Sequence, residues 1–183
     1  MMARNRHFLR DRRGVAAVEF ALIAPLMIAL YFGLAELTMA LMAEQRSNHL
    51  AAMAADLVAQ DPQTTKDSLD DVMSTGRAVM APFPAGAGDL KIRITGVVAD
   101  EDGTATVTWS RATAGFATRS VGSSLEDSPE NLLVENEGLV LAEVEYTHTP
   151  VIGYVIDQKM TFKDRWFARP RQSAQVPCSD CGD

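Results

Sequence analysis

The apolar residues of the chain are concentrated near its N-terminus. Residues 20–43 form a run in which Glu36 is the single charged side chain. As a helix this run would extend roughly 36 Å at about 1.5 Å per residue, and a bilayer core is about 30 Å thick. Pro25 lies one turn inside, where it would kink the helix but is tolerated in a bilayer. The pattern predicts one transmembrane segment, 20–43, whose quality Glu36 lowers.

The helical pattern continues past the apolar run. Apolar residues follow the i, i+3, i+4, i+7, i+8 spacing of one helix face at Leu50, Met53, Ala54, Leu57 and Val58. Polar residues oppose them at Ser47, Asn48, Asp56 and Gln60, and Asp61-Pro62 stops the pattern. We expect one helix over 15–60, roughly 69 Å long. Two helices broken near Glu44 remain the alternative.

A second helix is expected from about Thr64, where Thr64 and Asp67 resemble a capping box. An apolar stripe follows at Leu69, Val72, Met73, Val79 and Met80, and Pro82 and Pro84 end it. A methionine-containing stripe of this kind is typical of core packing.

Alternating apolar and polar residues then predict strands at 90–98 and 104–110, with the turn signal Asp102-Gly103 between them. Further strands are expected over about 140–148 and around 159–163. The polar stretch 111–138 is predicted to be a long loop with one short helix near 131–134. The acidic segment 99–103 is predicted to be a solvated turn. The predicted fold class is α+β, with a long N-terminal helix packed on a small antiparallel sheet. The head domain would span 61–171, followed by a polar tail at 172–183.

Charge is distributed unevenly along the chain. The first fourteen residues carry a net charge of +4, and the rest carry −11. Arginines directly before the apolar run place the N-terminus in the cytoplasm and the head domain in the periplasm by the positive-inside rule. An acidic body argues against nucleic-acid binding, which needs Lys and Arg on the folded domain.

The stretch from Gly14 to Phe20 resembles the processing site of type IV prepilins: basic residues, a glycine, small apolar residues, a glutamate and an aromatic. The resemblance implies cleavage after Gly14 of a leader at 1–14 by a prepilin peptidase, leaving Val15 as the first mature residue. A glycine would keep the backbone extended and unhindered there. It also implies that Glu19 pairs with the N-terminal amine of a neighbouring subunit, which would offset the cost of a carboxylate at the bilayer edge. The alternative is that Gly14 is a linker residue and Glu19 a first-turn capping acid.

The run from Arg12 to Met27, RRGVAAVEFALIAPLM, more particularly resembles TadE-like minor pilins of tight-adherence (Flp) pilus systems. The resemblance is strong over about residues 12–60. It implies an inner-membrane pseudopilin that takes part in pilus assembly, with further incorporation into an extracellular pilus for adhesion. Its partners would be the peptidase, other pilins, assembly platform proteins and membrane lipid. A pseudopilin of a type II-like secretion apparatus and an unprocessed, membrane-anchored periplasmic binding domain are the alternatives.

Residues capable of catalysis or metal binding are scattered. His7, His49 and His148 have no paired spacing, and the chain lacks the common hydrolase, P-loop and zinc-protease motifs. We therefore expect no enzymatic activity, no metal and no cofactor.

Two further groups near the C-terminus leave alternatives open. Cys178 and Cys181 could form a local disulfide, stay as free thiols or pair with another chain. A local disulfide would close a very small loop and add little stability. Aromatic and basic residues cluster just before the tail, either to bind acidic groups of a neighbouring subunit or to close the core beneath surface arginines: Arg165, Trp166, Phe167, Arg169 and Arg171.

Overall fold

The structure is a computed structural model, and it describes residues 14–99, 104–125, 136–153 and 155–181. Within these described residues, two helices and four strands follow one another: α1 (Val15–Gln60), α2 (Lys66–Met80), β1 (Leu90–Ala99), β2 (Ala105–Ala112), β3 (Gly138–His148) and β4 (Met160–Ala168). The predicted α+β class is confirmed. The leader up to residue 13, the Asp102-Gly103 turn and the short helix near 131–134 lie outside the described residues.

Helix α1 is continuous from Val15 to Gln60. The alternative of two helices broken near Glu44 is therefore wrong. Pro25 lies inside α1, in its apolar first half. Pro25 removes one backbone donor, yet the helix is not interrupted there.

The chain divides into two compact units, which are described separately. The first contains α1 as far as Met39 together with the segment Pro150–Gln158, which connects β3 to β4. The second contains Ala40–Thr149 and Lys159–Asp183, and so holds the rest of α1, α2 and the sheet.

The sheet of the second unit has the order β2-β1-β3-β4, and all three neighbouring pairs are antiparallel. One face packs on the helices through alternate residues of β1 and β3, in a core that includes Ile92, Ile94, Val140, Ala142, Val144 and Tyr146. The prediction placed β4 only around 159–163, whereas the strand runs to Ala168. The aromatic residues predicted to precede the tail therefore belong to the sheet.

A β-bulge in β2 changes the face of the sheet on which successive side chains of this strand lie. Gly96 pairs with Trp109, but the next residue of β1, Val97, pairs with Val107, so β2 contains one extra residue. Trp109 consequently packs in the helix-side core, while Val107 packs in a smaller cluster on the opposite face. Simple alternation had predicted both residues on one face.

The part of α1 in the second unit packs into the helix-side core through small residues. Ala43, Ala51, Ala54, Ala55 and Ala59 are fully buried there, interleaved with Leu50 and Val58. Two details differ from the sequence prediction. Ser47, predicted on the solvent face, is fully buried, and Leu57, predicted on the core face, is 39% exposed. The buried stripe is thus offset from the one that the largest apolar residues predict.

Helix α2 begins one residue later than predicted. Thr65, not Thr64, is its N-cap and accepts a hydrogen bond from the Ser68 N–H at 3.2 Å. Thr64 is buried and pairs with Cys178 in the C-terminal segment. The residue that resembles a cap in sequence therefore binds another part of the chain.

The C-terminal segment, residues 172–181, is held to the rest of the second unit by hydrogen bonds to its backbone carbonyls. Thr64 donates its N–H to the Pro177 carbonyl at 2.9 Å, and Gly138 donates to the Ala174 carbonyl at 2.7 Å. The Trp109 indole Nε1–H donates to the Val176 carbonyl at 2.7 Å, and Val176 is itself buried. A segment that reads as a polar tail thus contributes to the core.

Candidate functional site

Gly14 directly precedes α1 and is exposed. A Cβ at Gly14 would meet no atom of the described residues within 4 Å. Its backbone already lies in a helical turn, which differs from the extended conformation expected at a scissile bond. A protease that cuts between Gly14 and Val15 would need to unwind the start of α1.

Glu19 and Phe20 follow within the next turn of α1, and both are exposed, Phe20 to 72%. The first turn of α1 contains no acidic residue, so Glu19 is not a first-turn capping acid, while Gly14 as a linker residue stays an alternative. Among the residues that the structure describes, Glu19 has no ion-pair or hydrogen-bond partner. Its carboxylate is available to a cation from outside this part of the chain.

Apolar side chains cover the outside of α1 in the first unit. Large exposed residues occur at nearly every turn: Val18, Leu22, Ile23, Leu26, Met27, Ile28, Leu30, Tyr31, Leu34 and Leu37. The most apolar window of α1 has none of its residues buried within the protein, and the helix is long and apolar enough to span a membrane. A soluble domain would bury such a surface.

The model of the TadE-like protein family matches residues 14–56. The N-terminal segment of the chain is similar to TadE-like proteins. The match begins at Gly14, covers the exposed apolar half of α1 and ends within the buried half. It confirms the resemblance predicted from the sequence and supports a function related to the Tad (tight adherence) pilus, in company with other pilus components. No curated protein matches the chain, and neither does any solved structure.

Within the TadE-like segment, Glu36 has a role that the sequence did not indicate. It is 1% exposed, although it lies on an otherwise apolar helix. One carboxylate oxygen accepts the N–H groups of Ile152 at 3.2 Å and Gly153 at 2.5 Å, and the other accepts the N–H of Ile156 at 3.2 Å. The apolar composition of residues 151–156 is visible in the sequence, but no local pattern connects it to Glu36.

Cys178 and Cys181 form a disulfide in the docked C-terminal segment. In the described ranges, the one cluster with the spacing of metal ligands is Cys178, Asp180 and Cys181. Both sulfur atoms belong to the disulfide and cannot act as thiolate ligands in this state. Asp180 instead accepts the Lys66 N–H at 2.8 Å, at the start of α2. The disulfide thus lies beside a contact that holds the segment to α2.

The aromatic and basic residues before the C-terminal segment interact mainly within the second unit. Phe167 packs on the smaller core cluster, whereas Trp166 is 46% exposed. Arg171 forms an ion pair with Asp56 of α1, and Arg169 lies 3.7 Å from Glu137. This arrangement favours the alternative in which the arginines are surface charges and the aromatic residues close the core. Of the two aromatic residues, Phe167 helps to close the core and Trp166 does not.

Charged side chains on the sheet face opposite the helices form a ladder. Glu143 on β3 is bound by Arg93 at 2.6 Å and by Arg119 at 2.8 Å. Burial would raise the pKa of Glu143, but the two guanidinium groups outweigh it and hold this pKa below its ordinary value. A carboxylate held by two arginines is a structural ion pair and lacks the proton affinity of a general base.

The two histidines in the described part of the chain, His49 and His148, belong to no cluster of possible metal ligands. His49 is exposed on α1, His148 is buried on β3 with its ring 5.8 Å from that of Phe83, and His7 lies outside the described residues. That the protein is not an enzyme, and needs no metal or cofactor, stays a prediction.

Proposed function

We propose that this protein is a minor pilin or pseudopilin that a prepilin peptidase cuts between Gly14 and Val15, and that it takes part in assembly of an Flp-type (tight adherence) pilus. The observation that carries the proposal is the TadE-like match over residues 14–56, which starts at the proposed cleavage site. The cut would remove the basic leader and leave α1 as the first element of the mature chain.

The surroundings of the proposed cut support this proposal. Gly14 is exposed, and a Cβ there would meet none of the described atoms within 4 Å, so among the described residues only the helical turn at the start of α1 would have to open for the cut. Helix α1 starts at Val15, so cleavage keeps the whole apolar helix on the product, unlike a signal peptidase cut, which would remove it.

Glu19 would act in assembly by charge pairing. Its carboxylate lies near the start of an apolar helix, where a charge without a partner is costly in a bilayer. Cleavage creates a new cationic amine at Val15, and the amine of a neighbouring subunit could pair with Glu19. The exposed apolar face of α1 would then pack against other pilin helices or lipid, with the head domain in the periplasm.

The test is the N-terminal residue and intact mass of the membrane-extracted protein, produced with and without its prepilin peptidase. We expect the mature chain to begin at Val15, and this form to disappear in the peptidase mutant and in Gly14→Arg. Glu19→Gln is the matched variant. It should still be cut, because it leaves the scissile bond unchanged, but should be poorly incorporated into pili.

Two results would contradict the proposal in different ways. A chain that retains residues 1–14 beside an active peptidase would indicate an unprocessed, membrane-anchored periplasmic domain. A chain that is cut, but whose deletion leaves Flp-type pili intact and impairs protein secretion, would indicate a pseudopilin of a secretion apparatus.

A further inference from the structure

The segment Pro150–Gln158 presents aliphatic side chains to the outside of the first unit. Val151 is 76% exposed, Ile152 42% and Val155 49%. Charged residues come only at its end, with Asp157, and beyond it. An ordinary solvent-facing connection between two strands is polar, so this composition calls for an apolar environment.

The same segment is bound tightly to α1. Glu36 accepts three of its backbone N–H groups, and a Cβ built on Gly33, one turn earlier, would lie 3.4 Å from the Val155 side chain. Gly153 has φ of +63°, a conformation that suits glycine and places its N–H on the carboxylate. The segment is thus fixed on α1, with Val151 largely exposed and Ile152 and Val155 each about half exposed.

The position of Glu36 along α1 indicates the environment of the aliphatic side chains in this segment. Glu36 lies roughly 32 Å along the helix from Val15 at about 1.5 Å per residue, which is close to the thickness of a hydrocarbon core of about 30 Å. A helix that enters the bilayer near Val15 therefore leaves it near Glu36. This is earlier than the predicted end of the span at residue 43, because Ala40 and Ala43 are already buried in the second unit. The exposed aliphatic surface of the segment continues the exposed apolar surface of α1 at that level.

We propose that Pro150–Gln158 is a membrane-contacting loop, whose aliphatic side chains enter the lipid–water boundary where α1 leaves the bilayer. Glu36 is its positioning residue. At the edge of a bilayer, a backbone N–H group without a hydrogen-bond partner costs free energy, and so does a carboxylate without a partner. The three hydrogen bonds satisfy both at once, which lets an irregular segment lie at this depth. The inference rests on the proposed function only in requiring that α1 spans a membrane.

Tryptophan fluorescence tests the proposal in the full-length protein, reconstituted in vesicles of phosphatidylcholine with a minor share of phosphatidylglycerol. Val151→Trp and Val155→Trp place a reporter in the loop, and Val121→Trp places one at an exposed valine of the second unit as a matched control. Part of the phosphatidylcholine carries bromine near the headgroup end of its acyl chains, which quenches indoles at that depth. Circular dichroism confirms that each variant folds.

We expect both loop reporters to show a blue-shifted emission and a loss of intensity in brominated vesicles, relative to the wild type with its native tryptophans. The Val121→Trp reporter should show neither change. Equal quenching of the loop and control reporters would overturn the proposal. A blue shift without quenching would overturn it as well, because the loop would then be covered by protein, such as a second copy of the chain.

Leu26→Trp, in the middle of the apolar half of α1, separates this inference from the proposed function. Leu26→Trp is measured in vesicles whose phosphatidylcholine carries bromine near the methyl end of its acyl chains. If Leu26→Trp is quenched there while the loop reporters are not quenched by bromine at either depth, α1 spans the bilayer and only the loop proposal fails. If Leu26→Trp is also unquenched, α1 is not inserted and both proposals fail.

Discussion

Replacing Glu36 with leucine should release the Pro150–Gln158 loop from α1 while leaving the helix intact. Leucine is a good helix former and matches the apolar neighbours of position 36. The substitution removes both acceptor oxygens, so the N–H groups of Ile152, Gly153 and Ile156 lose their partner at once. The loop then has no other described contact that holds these three groups.

The size of the effect follows from those bonds. A hydrogen bond to a charged group contributes about 1.5–3 kcal/mol, and the three bonds are not additive, because released N–H groups bond to water instead. Counting the loss as a single bond gives a lower bound of about 1.5–3 kcal/mol. Since about 1.4 kcal/mol corresponds to a factor of ten, amide exchange in the loop should accelerate roughly ten- to a hundredfold.

Hydrogen–deuterium exchange of the full-length protein in detergent micelles measures this directly, with mass spectrometry of peptides that cover Pro150–Gln158. Glu44→Leu is the matched control, because Glu44 lies on the same helix but is exposed. Glu36→Gln retains one acceptor oxygen and should give an intermediate rate. If the loop exchanges equally fast in Glu36→Leu, Glu44→Leu and the wild type, the carboxylate does not hold the loop.

Two further predictions concern the second unit. A Cβ at Gly96 would lie 2.3 Å from the rigid Trp109 indole, so Gly96→Ala should lower the free energy of unfolding in urea by about 1–3 kcal/mol. Gly88→Ala, with nothing within 4 Å, should change it by less than about 0.5 kcal/mol, and equal effects would contradict the argument. Because its pKa is lowered in the folded state, Glu143 stabilises the fold fully above pH about 4.3 and loses this contribution as the pH falls through the lower folded-state value. The destabilisation caused by Glu143→Gln should therefore shrink in acid, and a pH-independent difference in urea unfolding would refute this.

The sequence by itself determined the features that depend on neighbours along the chain. The apolar run, in which Glu36 is the single charge, predicts the exposed half of α1, and alternating residues predict the core face of β1 and β3, because helix and strand periods are local properties. The TadE-like resemblance is likewise local, since the glycine, the glutamate and the aromatic fall within seven residues. For the same reason the candidate processing site could be named without any structure.

Tertiary structure alone decided the contacts between distant residues. Glu36 meets amide groups 116 to 120 positions away, and the Trp109 indole binds a carbonyl 67 positions away. The bulge that separates Trp109 from Val107 arises from pairing with β1, and alternation along β2 does not indicate it. From the sequence alone, a carboxylate in an apolar helix is interpreted as an unfavourable charge. The sequence shows which groups are polar, but not which of them form contacts in the folded chain. Glu36 and the docked C-terminal segment were misjudged from the sequence for this one physical reason.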